Sequence, residues 1–186
     1  MGMVLLVVLA IGLVLILWWI GTYNGLVRMR QEVKNAWSQI DVQLKRRHDL
    51  IPNLVEAVKG YITHERQTLE GVIKARTQAV NATGLQDRAQ AENLLTQTLR
   101  SLFAVVERYP DLKANQNVLS LQEELTSTEN RISFARQFYN DQATRLNSMI
   151  ESVPANFVAG SGGFSKVEFF QIEDAAHREV PKVALS

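Results

Sequence analysis

The 186-residue sequence has no cysteine, which excludes disulfides, thiol nucleophiles, zinc knuckles and a lipid-modified cysteine anchor together. It also lacks an excess of either charge: 20 Lys and Arg against 19 Asp and Glu leave a formal net charge of +1. The one basic cluster, Lys45 to His48, has no interleaved aromatics, so no nucleic-acid partner is expected. No solenoid repeat and no strand-dominated region is present. There is no Gly-x-Ser-x-Gly nucleophile elbow, no glycine-rich phosphate loop and no Glu-x-x-His pair of the kind that holds a di-metal site in helical bundles. His64-Glu65 begins like a zinc-protease motif, but Thr68 stands where the second histidine would be needed. Glu173 and His177 are four apart and sit alone in the tail, while Gly160, Gly162 and Gly163 have no strand before them or helix after them and read as a linker. No catalytic residue, cofactor-binding residue or metal ligand is assigned on this basis, no cofactor is expected, and the chain is not expected to be an enzyme.

What the sequence does have begins at Met1. From there to Ile20 no side chain is charged, and at about 1.5 Å per residue this run matches the ~30 Å hydrocarbon core of a bilayer. A cleaved signal would want a basic start and a small-residue cleavage site. The run instead ends in Trp18, Trp19 and Tyr23, the amphipathic aromatics that hold a membrane helix at headgroup level. Residues 1–25 are therefore read as a single transmembrane anchor, with residues 1–23 touching lipid. Arg28, Arg30, Lys34, Lys45, Arg46 and Arg47 all follow the span, which places the C-terminal body in the cytoplasm.

Beyond the anchor the apolar residues recur at helical spacing. Leu26, Val33, Trp37, Ile40 and Leu44 mark helix A, about 26–47. Pro52 lacks a backbone donor, so the chain either turns a corner at Asp49 to Pro52 or continues as a bent rod. Leu54, Val58, Ile62, Leu69, Val72, Ile73 and Val80 mark helix B, stopping at Asn81-Ala-Thr-Gly84. Leu94, Leu95, Leu99, Leu102, Val105 and Val106 mark helix C, about 87–108, which ends at Tyr109-Pro110. Helix D starts at a cap on Asn115 or Asn117, runs through Val118, Leu121, Leu125, Thr128, Ile132, Ala135, Tyr139, Leu146, Met149 and Val153, and closes at Pro154. Residues 26–154 then form a helical bundle and 155–186 a partly irregular tail. In that tail Phe164, Phe169 and Phe170 fold back on the bundle in preference to docking elsewhere. Asn35, Asp41, His64, Glu65, Arg76, Glu129, Asn130, Arg131, Arg136 and Asn140 are read as a polar network that fixes the register of helices A, B and D, in preference to a recognition surface.

The stretch from Asn35-Ala-Trp-Ser-Gln-Ile-Asp through Arg46-Arg-His-Asp-Leu-Ile-Pro52 to Glu56 carries a family resemblance. So do Val58-Lys-Gly-Tyr61, His64-Glu65, Tyr109-Pro-Asp-Leu-Lys-Ala114, Thr128-Glu-Asn-Arg-Ile132 and Arg136-Gln-Phe-Tyr-Asn140. Together these motifs resemble the LemA family of bacterial membrane-anchored proteins over about residues 1–158. The resemblance implies an all-α fold, with one N-terminal membrane helix before an antiparallel four-helix bundle, and favours the corner at Asp49 to Pro52. It implies no defined reaction, and the association of related sequences with magnetosome membranes raises a membrane-shaping role. The functional expectation is a non-enzymatic scaffold or adaptor of the bacterial inner membrane. A homo-oligomer is expected, with Gly21-x-x-x-Gly25 allowing close helix approach and other membrane proteins as further partners. The alternatives are a membrane-remodelling coat-like protein and a small-ligand-sensing helical module. Removal of residues 1–25 should leave a soluble, highly helical domain, and loss of the helical circular dichroism signal would refute an independent body.

Overall fold

A computed structural model describes residues 1–62 and 65–170. Those residues contain six helices and no strand, in agreement with the all-α expectation. The helices are α1 (Gly2–Lys59), α2 (Arg66–Asn81), α3 (Leu85–Val106), α4 (Pro110–Lys113), α5 (Gln116–Glu151) and α6 (Ala155–Ser161). The chain divides into two compact units. Of the described residues, one comprises Met1–Val42 with Ile132–Phe169, the other Gln43–Arg131 with Phe170. Glu173, His177 and His64 lie outside the described residues.

In the second unit the corner expected at Asp49 to Pro52 is absent: α1 continues through Pro52 to Lys59. A proline inside a helix leaves the carbonyl four residues earlier without its N–H partner, and here that carbonyl belongs to His48. Arg76 of α2 replaces the missing donor, its Nε giving a hydrogen bond of 2.7 Å to the His48 oxygen. The break falls instead after Lys59, so the region expected as helix B is divided between the end of α1 and α2. Ile51, Leu54, Val55 and Val58 of α1 form one core with Val72 and Ala75 of α2, Leu95, Leu99 and Leu102 of α3, and Val118 and Leu125 of α5. Ile73, Val80 and Leu94, expected inward, are 48%, 50% and 43% exposed. Leu69 and Val72 are buried as expected, and Ala75 and Ala79 complete the inward face of α2 in place of Ile73 and Val80.

The joints follow local chemistry. Gly84 precedes α3 with φ +88° and ψ 161°, a backbone region open essentially to glycine. It thus serves the start of α3 where a cap ending the preceding helix was expected. Pro110 occupies the first turn of α4, where its missing donor costs nothing. Of the two cap candidates for α5, Asn115 is the one used. Its Oδ1 accepts from the backbone N–H of Asn117 at 3.0 Å and of Val118 at 3.3 Å.

In the first unit Leu26, Val33 and Ile40 of α1 and Ile132, Ala143 and Leu146 of α5 are buried. Trp37, expected in the core, is half-buried and meets the buried Tyr139 edge-on at 5.7 Å. The glycine stretch is not a linker. Gly160 lies within α6, and only Gly163, at φ +67°, uses the freedom of glycine to turn the chain. From there the chain returns along α5. Asn147 accepts from the Val167 N–H and donates to the Val167 oxygen, both at 2.9 Å, and the Tyr139 hydroxyl donates to the Glu168 oxygen at 2.9 Å. Burial, and then the Glu168 charge, push that phenol's pKa up. Phe164 is buried, packed edge-on against Tyr23 at 5.5 Å beneath the Arg30 guanidinium. It folds back as expected, whereas Phe169 stays 44% exposed. Val153, expected on the seam of α5, lies past its end and is 76% exposed.

Because Arg76 supplies the hydrogen bond that Pro52 cannot, Arg76→Met should lower stability by about 1–3 kcal/mol. Pro52→Ala should recover part of that loss in the Arg76→Met background, since alanine restores the N–H. Additive losses in a double-mutant cycle of urea midpoints would refute the coupling.

Candidate functional site

Arg47 extends a stripe of α1 whose other members, Ile40, Leu44, Ile51 and Leu54, are all buried apolar residues. Its own side chain is fully buried, and an internal guanidinium is tolerated only when paired. Two carboxylates meet it. Nη2 donates to Glu92 Oε2 of α3 and lies 3.4 Å from the Glu92 backbone oxygen. Nη1 donates to Glu129 Oε2 of α5 and to Thr96 Oγ1 at 2.9 Å. His48, the next residue along α1, places Nε2 2.9 Å from the other Glu92 oxygen, Oε1. The Thr96 hydroxyl, 3.1 Å from both Glu129 Oε1 and the Glu92 backbone oxygen, has one proton to share between them. Burial by itself pushes the Glu92 carboxyl up. The His48 hydrogen bond, the Arg47 and His48 charges and the Arg47 hydrogen bond outweigh it, so the group titrates below its ordinary range.

Of the polar residues singled out in the sequence, Glu129 and Arg76 belong to this arrangement. Glu65 lies elsewhere in the second unit, 3.3 Å from Arg108. Asn130 and Arg131 are exposed on α5. In the first unit Asn35 and Asp41 are exposed, Arg136 is buried and Asn140 half-buried. The centre of the cluster was missed, and a signal for it existed. Glu92 precedes Leu95, Leu99, Leu102 and Val106 at alternating spacings of three and four, so it occupies a seam position of α3 as Arg47 does in α1.

Thr96 and Glu129 also line a cavity of about 200 Å³ with Leu99, Phe103 and Leu125, beside the exposed Arg100 and Asn130. Both Glu92 carboxylate oxygens are engaged and shut inside. Glu129, whose side chain is 34% exposed, is the carboxylate that reaches this opening. It presents a hydrogen-bond acceptor beside an apolar wall. Among the described residues no group of three or more His, Cys, Asp and Glu could hold a metal ion.

Glu92→Gln keeps the shape and removes the charge, so Arg47 loses its buried partner and the urea-measured stability should fall by about 3 kcal/mol. The pH dependence has a definite sign. A carboxyl depressed in the folded chain contributes fully above its ordinary value of 4.5, and that contribution is lost as pH falls through the lower folded value. Stability of the unaltered chain should therefore drop in that acid window, and the Glu92→Gln variant should show a shallower drop there. Equal slopes would refute the assignment.

Residues 36–185 match the LemA family. Protein LemA of Metamycoplasma hominis is 29% identical over 95% of this chain and 81% of its own length. Magnetosome protein MamQ 2 of Paramagnetospirillum magneticum is 27% identical, and magnetosome protein MamQ of Magnetospirillum gryphiswaldense 25%, each over 82% of this chain. The match spans 66% of the length of each of these two magnetosome proteins. With most of the sequence matched, including the helices that carry Arg47, Glu92 and Glu129, the chain belongs to the LemA family.

Proposed function

We propose that the chain is a single-pass protein of the bacterial inner membrane whose helical body serves as a non-enzymatic scaffold or adaptor beside the bilayer. In this reading residues 1–25 are the anchor, 26–154 an antiparallel four-helix body and 155–186 the tail. The observation that carries it is the state of the apolar run. Leu5, Leu9 and Leu17 are each 61% exposed and Ile16 58%, in a helical segment long and apolar enough to cross a membrane. Exposed apolar surface on this scale calls for lipid or a protein partner. The run passes without a break into the part of α1 that bears the buried Leu26, Val33 and Ile40, which favours a retained anchor over a cleaved signal.

Self-assembly belongs to the same reading. A Cβ added at Gly21 or Gly25 would meet nothing within 4 Å, leaving that side of the helix open to close approach by another copy. A membrane-remodelling coat is the second reading, and the similarity to two proteins named as magnetosome proteins is what keeps it in view. The cavity beside Glu129 supports a third, in which the body senses a small, mainly apolar ligand carrying a hydrogen-bond donor.

Two measurements test the main reading. Native mass spectrometry in lipid should show multiples of the chain, and single copies alone would remove self-assembly. Ser127 is exposed on α5 and the chain has no cysteine. Ser127→Cys should accordingly be protected from an impermeant thiol reagent in intact cells, and labelling from outside would reverse the orientation.

A further inference from the structure

Within the first unit, three contacts fix how α5 and α6 lie against α1. Tyr139 is level with Trp37 through their ring contact. Asn147 is bonded to Val167, three residues from Phe164, which itself touches Tyr23 and lies under Arg30. Hence α5 runs antiparallel to α1. At about 1.5 Å per residue, Glu151 lies about 18 Å beyond Tyr139, which on α1 reaches the level of Gly25. Gly162, at the far end of α6, is also level with this point, since a Cβ there would come within 3.0 Å of the Tyr23 ring. Both ends of α6 thus sit near the level of Tyr23 to Gly25, and the helix lies across α1.

This short helix is sided. Ala155, Val158 and Ala159 are buried. At about 100° per residue, Phe157 projects almost opposite their mean direction, and it is 66% exposed. Val153, at the turn into α6, is 76% exposed. The apolar run ends at Ile20, before Gly21-Thr-Tyr-Asn24, only about 8 Å along α1 from Gly25, a distance comparable with the thickness of the headgroup layer. The other strongly exposed aromatic of this unit, Phe134 at 74%, precedes Tyr139 and stands more than about 30 Å from the end of the run.

We propose that α6 and the turn before it form a second membrane contact, with Phe157 and Val153 inserted into the lipid interface beside Trp18, Trp19 and Tyr23. This rests on the reading of residues 1–25 as a membrane span. It adds that the first unit is seated on the bilayer at two points. A transmembrane helix alone leaves its body free to tilt and rotate. An apolar side chain displaced sideways from the anchor, on a helix lying in the interfacial plane, restricts both motions.

The full chain, reconstituted in phosphatidylcholine vesicles containing phosphatidylglycerol, tests this with one environment-sensitive fluorophore at a time. The labels are attached at Leu9→Cys, Val153→Cys, Phe157→Cys and Phe134→Cys, and nitroxide-bearing lipids serve as quenchers. Shallow nitroxides should remove most of the emission at positions 153 and 157 and leave that at 134 unchanged, while deep nitroxides quench at 9. Quenching at 9 with none at 153 and 157 overturns the second contact and leaves the span standing. Absence of quenching at 9 overturns the span and this inference with it. A blue-shifted but unquenched signal at 157 assigns the surface to another copy of the chain and overturns the lipid contact. Equal quenching at 134 overturns the geometry.

Discussion

A guanidinium shut inside a helical core must be met by carboxylates, and in the second unit Arg47 draws helices from three parts of the chain to one point. Glu92 comes from α3, Glu129 from α5, and the Thr96 hydroxyl fills the angle between them. The neighbouring residue on α1 completes the set, with the His48 ring on Glu92 and the His48 carbonyl accepting from Arg76 of α2. Apolar side chains alone would tolerate a slide of one helix along another by a turn. These charges would not, because the slide leaves at least one ion buried without a partner, at a cost of several kcal/mol. The cluster therefore acts mainly on register, while the area buried by Leu54, Leu95 and Leu102 acts on stability.

Pro52 and Arg76 show how a residue that ordinarily ends a helix can be accommodated. The rule concerning the lost hydrogen bond holds, but it describes an isolated helix. Here a donor from a different helix satisfies the carbonyl, so α1 keeps its course and ends at Lys59, before Gly60. Nothing in the local sequence around Pro52 could announce Arg76, which lies 24 positions later. The corner expected from the sequence failed for that reason. The boundary at Tyr109-Pro110 and the cap at Asn115 were legible because their chemistry is contained within a few neighbouring residues.

The same division between local and distant causes runs through the site. Arg47 was visible as a cation and Glu129 as a polar residue close to a seam, yet their relation depends on Glu92, whose role emerges only when the apolar seam of helix C is followed back by one turn from Leu95. Charge at a seam position was the available signal, and ending helix A at Arg47 concealed its counterpart on α1. On α2, Ile73 and Val80 were assigned inward by hydrophobicity, although Ala75 and Ala79 are what the packing admits. Small residues carry little weight in an apolar stripe while permitting the closest approach of two helices.

The glycines after Ala159 misled in the opposite sense. Composition there describes what the chain can do when unconstrained, and three hydrogen bonds to α5 constrain it. Once Asn147 holds Val167 by both backbone groups and Tyr139 holds Glu168, the segment has a fixed path. Gly163 supplies the left-handed turn, and the residues of α6 have a defined inside and outside. That siding gives Phe157 its meaning. An aromatic in a flexible tail could bury itself in many places. One held on the outer face of an ordered helix, at the level where the chain's hydrophobic run ends, remains unburied within the first unit, and with residues 1–25 read as a membrane span the lipid interface is what lies at that level.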